Sequence, residues 1–387
     1  MDTLKLKKNI KRFFFIVIEE LSVLFERNRS FKKTEIKNIL VIGGGYLGDL
    51  LLIFPALESL SVYFPNVPLS LMVSSNSKEI LSLFPKKDII SGLIEFNPEA
   101  EHKNLLKKLS LAFSLRSSGF DLIYSPNRGK GMRGMFLMNL IIGAHHRIGF
   151  KRGRVGLLNT IKIDFKDNTS ILKQNLDLLE AAGIEVITER IGISVPEKDE
   201  AAVRGLLNSH KLDYSYPSIA IHPGASWNSK YKCWPIERFI LLIRRLVKEY
   251  KANIIVIGSK KEAEGGEKVA KAIGNSGVIN LVGKTSVAQM AAVIKISDFF
   301  IGNDSGPLHI ALALDVPSIA IFGATAPEQI LSGTDKCIVV SKKIGCSPCY
   351  LHQADFEPSC ESPKCLDEIS VDDAMKAFKT MLHRFPL

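Results

Sequence analysis

The sequence predicts an α/β protein made of two successive doubly wound domains, each a parallel sheet with helices on both faces. Short apolar runs typical of buried strands alternate with longer segments whose apolar residues recur at helical spacing. The alternation is interrupted once, by a mixed polar stretch at 184–217, and then begins again. A chain of 387 residues is also long enough for two domains.

The strands of both halves are predicted as continuous apolar runs, which favours parallel sheets buried on both sides. They lie at 37–42, 69–73, 89–95, 121–125, 218–222, 253–258, 278–282, 298–301, 318–322 and 337–340. The predicted helices lie at 49–63, 77–84, 103–118, 131–142, 170–182, 199–210, 235–250, 262–273, 287–296, 307–314 and 371–384.

These elements divide the chain into five segments. They are an N-terminal extension at 1–36, a first domain at 37–190, a linker at 191–217, a second domain at 218–366 and a C-terminal helix at 367–387. Two doubly wound domains in succession predict a ligand cleft between them, at the carboxyl ends of both sheets.

The composition indicates a soluble protein with an anionic partner. Hydrophobic residues make up 46% and charged residues 24%, and the formal net charge is +11. An arginine-rich tail, zinc-finger spacing and an RNP-like aromatic motif are all absent from the sequence, which argues against nucleic acid. An anionic lipid surface or a phosphorylated small molecule fits the charge better.

The N-terminal extension combines basic residues with an apolar run, 13–18, and no apolar run in the chain is long enough to span a bilayer. Glu19 and Glu20 follow that run, where a signal peptide would have a small-residue cleavage site. The pattern predicts a basic amphipathic helix. Two roles stay open for it: attachment to an anionic membrane surface, or packing on the protein itself.

Four of the six cysteines lie within twenty residues of each other and form the pattern C-x2-C-x10-C-x4-C. They are Cys346, Cys349, Cys360 and Cys365. Without an export signal, disulfides are not expected. A structural zinc site and a loop without metal both remain open, since the second pair is spaced more loosely than zinc ribbons prefer.

A first glycine-rich turn follows the strand at 37–42. Gly43, Gly45 and Gly48 satisfy the dinucleotide pattern G-x-G-x-x-G, which allows an NAD(P)-dependent oxidoreductase. The next strand, however, ends in serines without a carboxylate for a ribose. Asp49 stands at the helix start, where it would repel a pyrophosphate but would suit a general base acting on a hydroxyl. The alternative is that Asp49 only caps the helix.

A second turn follows the strand at 218–222 and contains Ser226, Lys230 and Lys232. Their hydroxyl and ammonium groups could reach phosphate oxygens, although a single loop lysine is more often solvated. No two aspartates lie two positions apart anywhere in the chain. Bound phosphates would therefore be neutralised by lysine and helix N-termini and not by a metal held by an Asp-x-Asp pair.

The third turn, 302–309, runs from a buried strand into an apolar helix. The unpaired N–H groups and the dipole of such a helix start attract anions. Asp304 and Ser305 are suited to the N-cap, Gly306 and Pro307 to the first helical turn, and His309 is predicted to project from it. The turn predicts a diphosphate cradle, with an ordinary capped helix as the alternative.

Together the three turns resemble glycosyltransferase family 9, the ADP-heptose:lipopolysaccharide heptosyltransferases. The resemblance covers about 37–366 and rests on four blocks in order: NILVIGGGYLGDLLLIFPALESL, RIGF, IAIHPGASW…KCWPIERF and FIGNDSGPLHIALALDVPSIAIFGATAP. It implies a GT-B fold of two Rossmann-like domains, with the acceptor bound by the first and the nucleotide-sugar by the second. It also implies inverting transfer that needs no metal or other cofactor.

The resemblance assigns roles to residues that match the family's motifs. Asp49 would be the general base, and Lys232 would neutralise the leaving diphosphate. Because the loop before Lys232 is longer than usual, Lys230 could take its place. The other expected donor-binding residues are Ser226, Glu262 for the ribose, Asp304, Ser305, Gly306 and His309. Charge and position alone suggest Arg128, Arg152 and Arg154 for an anionic acceptor.

The expected reaction moves heptose from ADP-L-glycero-D-manno-heptose to the lipid A-linked inner core of lipopolysaccharide. It would take place at the cytoplasmic face of the inner membrane. Four alternatives stay open: another nucleotide-sugar or acceptor, the NAD(P)-dependent oxidoreductase, a sugar-nucleotide epimerase or hydrolase, and a binding module without catalysis.

Overall fold

The structure, a computed structural model, describes residues 30–97, 102, 104–128, 132–152, 156–167, 169–210, 212–213, 215–225, 231–274, 277–331, 334–349 and 360–387. The predicted amphipathic helix of the N-terminal extension lies mostly outside these residues. Arg154, Ser226 and Lys230 also lie outside them.

The first half forms a six-stranded parallel sheet in the order β3-β2-β1-β4-β5-β6. Its strands are β1 (Ile39–Ile42), β2 (Leu69–Val73), β3 (Gly92–Glu95), β4 (Leu122–Ser125), β5 (His146–Lys151) and β6 (Ile161–Asp164). Its helices are α1 (Leu47–Leu51), α2 (Phe54–Tyr63), α3 (Leu105–Arg116), α4 (Met132–Ile142) and α5 (Ile171–Glu180). This strand order is that of a Rossmann-like sheet.

The second half repeats the arrangement in the order β12-β11-β10-β7-β8-β9. Helix α6 (Glu197–Ser209) precedes it. Its strands are β7 (Ser218–His222), β8 (Asn253–Val256), β9 (Val278–Asn280), β10 (Phe299–Asn303), β11 (Ser318–Ile321) and β12 (Cys337–Val340). Its helices are α7 (Ile236–Tyr250), α8 (Ala263–Ile273), α9 (Val287–Ile296), α10 (Gly306–Ala313), α11 (Pro327–Ile330), α12 (Lys364–Asp367) and α13 (Val371–Arg384).

The first half contains two strands that the sequence did not predict. β5 and β6 add to the sheet beside β4, in parallel register. Charged residues interrupt both apolar runs, Arg147 in β5 and Lys162 in β6, so neither resembles a continuous buried strand. Whether such short, mixed segments form strands depends more on pairing with a neighbouring strand than on their own residue pattern.

The predicted helix at 49–63 is wrong as a single element. It is broken between Leu51 and Phe54, and Pro55 occupies the first turn of α2. The predicted helix at 77–84 is a short 3₁₀ segment, Lys78–Leu83. The break between α1 and α2 and the 3₁₀ segment both lie beside the first glycine-rich turn, where the chain changes direction.

One apolar core runs through both halves. Leu50 and Leu57 from the first half and Leu308 and Phe322 from the second belong to the same cluster of buried side chains. Helix α6, which lies in the predicted linker, packs against α9 and buries Val203 and Leu207. The two sheets are therefore held together by packing, and the cleft between them is narrow where α1 meets α10.

Candidate active site

Asp49 lies in the first turn of α1 but does not cap it. The N-cap is Tyr46, whose side chain makes no capping hydrogen bond. Oδ1 of Asp49 instead accepts a hydrogen bond from the Arg128 guanidinium at 2.5 Å. The Asp49 side chain keeps 28% of its exposure, so part of the carboxylate faces the cleft. The interpretation of Asp49 as a simple helix cap is therefore wrong.

Arg128 follows β4 and is buried, with 8% of its surface exposed. Charge and position suggested a contact to an anionic acceptor, and in the structure the guanidinium of this arginine pairs with Asp49 from the end of the neighbouring strand. Among the described residues its Nε has no hydrogen-bond partner. Arg152 is also engaged, since it pairs with the Asp167 carboxylate at 2.8 Å.

The third turn forms around a buried carboxylate. Oδ2 of Asp304 accepts hydrogen bonds from Lys232 Nζ at 2.7 Å and from Thr325 Oγ1 at 2.8 Å. Burial alone would raise the pKa of Asp304, but the charge and hydrogen bond of Lys232 bring that pKa below its ordinary value. Asp304 and Lys232 therefore form an ion pair at the carboxyl end of the second sheet.

The expectation that Asp304 caps α10 is wrong. The N-cap of α10 is Ser305, and its side chain makes no capping hydrogen bond. The hydroxyl of Ser305 lies 3.0 Å from His222 Nδ1 instead. Pro307 has no amide hydrogen, and the amides of Leu308 and His309 donate to the Ser305 carbonyl. At the start of α10 this leaves the amide of Gly306 to meet an anion.

Asn303 and Trp234 hold the second turn against the third. The side-chain amide of Asn303 donates to the carbonyls of Pro223 and Gly224 and accepts from the Trp234 backbone N–H. The Trp234 ring is buried, and its Nε1 donates to the carbonyl of Ile369. These contacts place Lys232 beside Asp304. Sequence reasoning missed the role of Asn303, although its position at the end of a predicted strand was a usable signal.

Glu262 lies in the short 3₁₀ segment Lys260–Glu262, which follows β8. Its Oε1 is 3.2 Å from His222 Nε2, and its Oε2 accepts from the backbone and hydroxyl of Ser259. Burial would raise the pKa of Glu262, but hydrogen bonds and charge from His222, with those from Ser259, lower it to about 2. A Cβ on Gly224 would lie 1.8 Å from Glu262 Oε1, so any other residue there would displace the Glu262 carboxylate.

The two halves touch directly at His309. A Cβ placed on Gly48 would lie 2.6 Å from His309 Cδ2, and one on Gly306 would lie 3.1 Å from Leu47 Cβ. Burial lowers the pKa of His309 despite the nearby carboxylates of Asp304 and Asp49. A neutral imidazole therefore separates the carboxylate of the first half from the ion pair of the second.

Gly48→Ala should disturb this contact, because the added methyl group overlaps a buried ring with little room to move. We expect the free energy of unfolding to fall by about 1–3 kcal/mol, as for overpacking elsewhere. Urea denaturation measures the change. Gly45→Ala is the matched control, since a Cβ there meets no heavy atom within 4 Å. Equal losses in both variants would show that the His309 contact is not responsible.

The family model "Glycosyltransferase family 9 (heptosyltransferase)" matches residues 109–359. The chain belongs to this family. It is therefore a glycosyltransferase, and its predicted membership of family 9 is confirmed.

Several curated proteins are similar to this family 9 glycosyltransferase. Lipooligosaccharide heptosyltransferase 2 of Haemophilus influenzae is 26% identical over 314 residues, which cover 78% of this chain and 88% of that protein. Lipopolysaccharide heptosyltransferase 2 of Escherichia coli is 25% identical and covers 75% and 84%. Lipopolysaccharide heptosyltransferase 1 of Campylobacter coli is 24% identical and covers 89% and 98%.

Solved structures share the fold. The E. coli ADP-heptose LPS heptosyltransferase II has a TM-score of 0.67 at 22% identity and covers 90% of this chain and 99% of its own. A family 9 glycosyltransferase from Veillonella parvula has a TM-score of 0.69 at 20% identity and covers 91% and 99%. The iron-containing heptosyltransferase TibC has a TM-score of 0.56 at 14% identity and covers 92% and 78%. The predicted GT-B fold is confirmed.

Two further expectations concern a structural zinc site and membrane-spanning segments. Within the described residues of this glycosyltransferase, no group of three or more His, Cys, Asp or Glu side chains is arranged to hold a metal ion, and Cys346, Cys349, Cys360 and Cys365 form no disulfide. The zinc alternative therefore gains no support from the geometry. None of the described helices has the length and apolar character to cross a membrane.

Proposed function

We propose that this glycosyltransferase moves heptose from ADP-L-glycero-D-manno-heptose to the inner core of lipopolysaccharide, with inversion at the anomeric carbon. The observation that carries the proposal is the packing of Gly48, next to Asp49, against His309, which also lies near the Lys232–Asp304 pair. An acceptor-side base and a cationic phosphate site thus face one narrow cleft, at the carboxyl ends of two parallel sheets.

Asp49 is the general base of this mechanism. It takes the proton of an acceptor hydroxyl while that oxygen forms a bond to the anomeric carbon, and the bond from that carbon to the diphosphate oxygen breaks. Arg128 holds one carboxylate oxygen at 2.5 Å, which orients the other toward the cleft. The neutral imidazole of His309 lies between Asp49 and the Lys232–Asp304 pair. Because it carries no charge, it neutralises neither of them.

Lys232 and the start of α10 stabilise the departing ADP. The diphosphate gains negative charge as the glycosidic bond breaks, and a lysine beside a helix N-terminus meets that charge in a site with little water. The Lys232 side chain keeps 21% of its exposure, so its ammonium group can reach a phosphate while Asp304 holds it. Ser226 and Lys230 are proposed as further phosphate contacts, and Glu262 as the acceptor of ribose hydrogen bonds.

The acceptor is proposed to be anionic and lipid-linked. The chain carries a net charge of +11, and most of residues 1–36 belong to a basic, apolar segment suited to an anionic membrane surface. This supports work at the cytoplasmic face of the inner membrane. Arg152 and Arg154 are proposed to meet the acceptor's charges; for Arg152 this requires exchange of its Asp167 partner.

Isothermal titration and a transfer assay test the donor. Purified protein is titrated with ADP, ADP-heptose, UDP, GDP and NAD⁺, and transfer to a heptose-free lipid A-linked core is followed by mass spectrometry. We expect ADP and ADP-heptose to bind and heptose to be transferred. Preference for UDP or GDP would overturn the donor, and binding of NAD⁺ alone would favour the oxidoreductase.

Removal of divalent metal should not slow the reaction, because Lys232 and a helix N-terminus take the place of an Asp-x-Asp metal site. Transfer is measured after incubation with EDTA and with an iron chelator. We expect the rate to stay unchanged. Strong inhibition that Mn²⁺, Zn²⁺ or iron reverses would contradict the metal-independent mechanism.

A further inference from the structure

His222 is a buried side chain to which the mechanism above assigns no part. It is the last residue of β7, with 3% of its surface exposed. Its Nδ1 lies 3.0 Å from Ser305 Oγ, and its Nε2 lies 3.2 Å from Glu262 Oε1. Both ring nitrogens therefore face a side chain already associated with donor binding.

The neighbours of His222 show what each ring nitrogen meets. The Glu262 carboxylate accepts hydrogen bonds, so Nε2 of His222 carries a hydrogen and donates to it. The Ser305 hydroxyl lies 3.0 Å from His222 Nδ1 and 3.1 Å from the Asn303 carbonyl. The imidazole therefore bridges the carboxylate on one side and the hydroxyl on the other.

The sheet order explains why one histidine can reach both partners. β7 lies between β10 and β8 in the second sheet. Ser305 follows β10, and Glu262 follows β8 by a short 3₁₀ turn. His222 at the end of β7 thus lies between the group expected at the donor's diphosphate and the group expected at its ribose. Gly224 leaves the space in which Glu262 meets the ring.

We propose that His222 is a positioning residue, a buried imidazole that holds Glu262 and Ser305 at a fixed separation. One nucleotide diphosphate is then bound at its ribose by the carboxylate and at its phosphates by the hydroxyl. This clamp rests on the proposed function for its ligand but not for the contact between His222 and Glu262, so the two can fail separately.

The contact is tested first, on ligand-free protein labelled with ¹⁵N-histidine. We expect Nε2 of His222 to carry a hydrogen, and its shift to change in Glu262→Gln, which replaces the carboxylate with an amide. A His222 Nε2 without a hydrogen in the wild-type protein would overturn the proposal, whatever the enzyme's substrate.

The clamp is tested by ADP binding in a mutant cycle. Glu262→Gln and Ser305→Ala are introduced singly and together, both into the wild-type protein and into His222→Gln. With His222 present, the fold loss of ADP affinity in the double variant should be at least about fivefold smaller than the product of the two single-variant losses. In the His222→Gln background, the double-variant loss should equal that product. Multiplied losses in both backgrounds would overturn the clamp.

His383→Gln, an exposed change on α13, is the matched control and should leave ADP affinity and the coupling unchanged. If His222→Gln does not fold, the spectra of wild-type protein and Glu262→Gln still decide the contact between His222 and Glu262, and the coupling in the wild-type background still decides the clamp. Failure of wild-type protein to bind ADP would overturn the proposed function and the clamp's ligand, whereas the spectra would stand on their own.

Discussion

Asp49→Asn should lower kcat by about 10²–10⁴-fold, the usual loss when a general base is removed. The amide keeps the shape of the carboxylate and can still accept from Arg128, so the fold should be preserved. Because Asp49 lies on α1 and the proposed nucleotide contacts lie in the second half, the Kd of ADP should be nearly unchanged. Initial rates of transfer and isothermal titration measure the two quantities.

Asp88→Asn is the control for this change, since it removes an exposed carboxylate from the same half of the chain. It should leave kcat unaltered. A variant at Asp49 that lost ADP binding together with activity would show that Asp49 belongs to the donor site. Full activity in Asp49→Asn would remove it from the mechanism altogether.

The sequence predicted the three turns because their signals are local. A strand, a glycine-rich bend and a helix start occupy a few adjacent residues, and backbone physics alone gives such a segment its shape. All six strands of the second half were predicted for the same reason, as continuous apolar runs. β5 and β6 were missed because pairing with β4 stabilises them more than their own composition does.

The partners of charged side chains could not be predicted in this way. Arg128 meets Asp49 across 79 positions, and Lys232 meets Asp304 across 72. From the sequence alone, a buried arginine cannot be distinguished from an exposed one, and a buried aspartate cannot be distinguished from one that caps a helix. His222 is a stronger case, since neither partner is near it in sequence and only the strand order brings them together.

Lys232→Met tests the pair that Lys232 forms with the buried Asp304 carboxylate. Loss of the ammonium group should lower kcat/KM by about 10²–10³-fold, comparable to the loss of one preorganised donor to a developing charge. It also leaves Asp304 buried without its cation, which should cost about 3–5 kcal/mol of unfolding free energy. Urea denaturation and steady-state kinetics separate the two effects.

The double variant Lys232→Met/Asp304→Asn distinguishes catalysis from stability. Replacing the buried carboxylate with an amide removes the uncompensated charge, so most of the lost stability should return, while kcat/KM should stay low because no cation meets the diphosphate. Lys248→Met, an exposed change on α7, is the control for loss of a positive charge.

Recovery of activity in the double variant would mean that Lys232 serves only to neutralise Asp304. The phosphate-binding role would then pass to Lys230, and Lys230→Met would become the variant with the large kinetic loss. If Lys230→Met and the double variant both kept normal kcat/KM, neither lysine would neutralise the leaving group. The start of α10 would then have to bind the diphosphate without help from this loop.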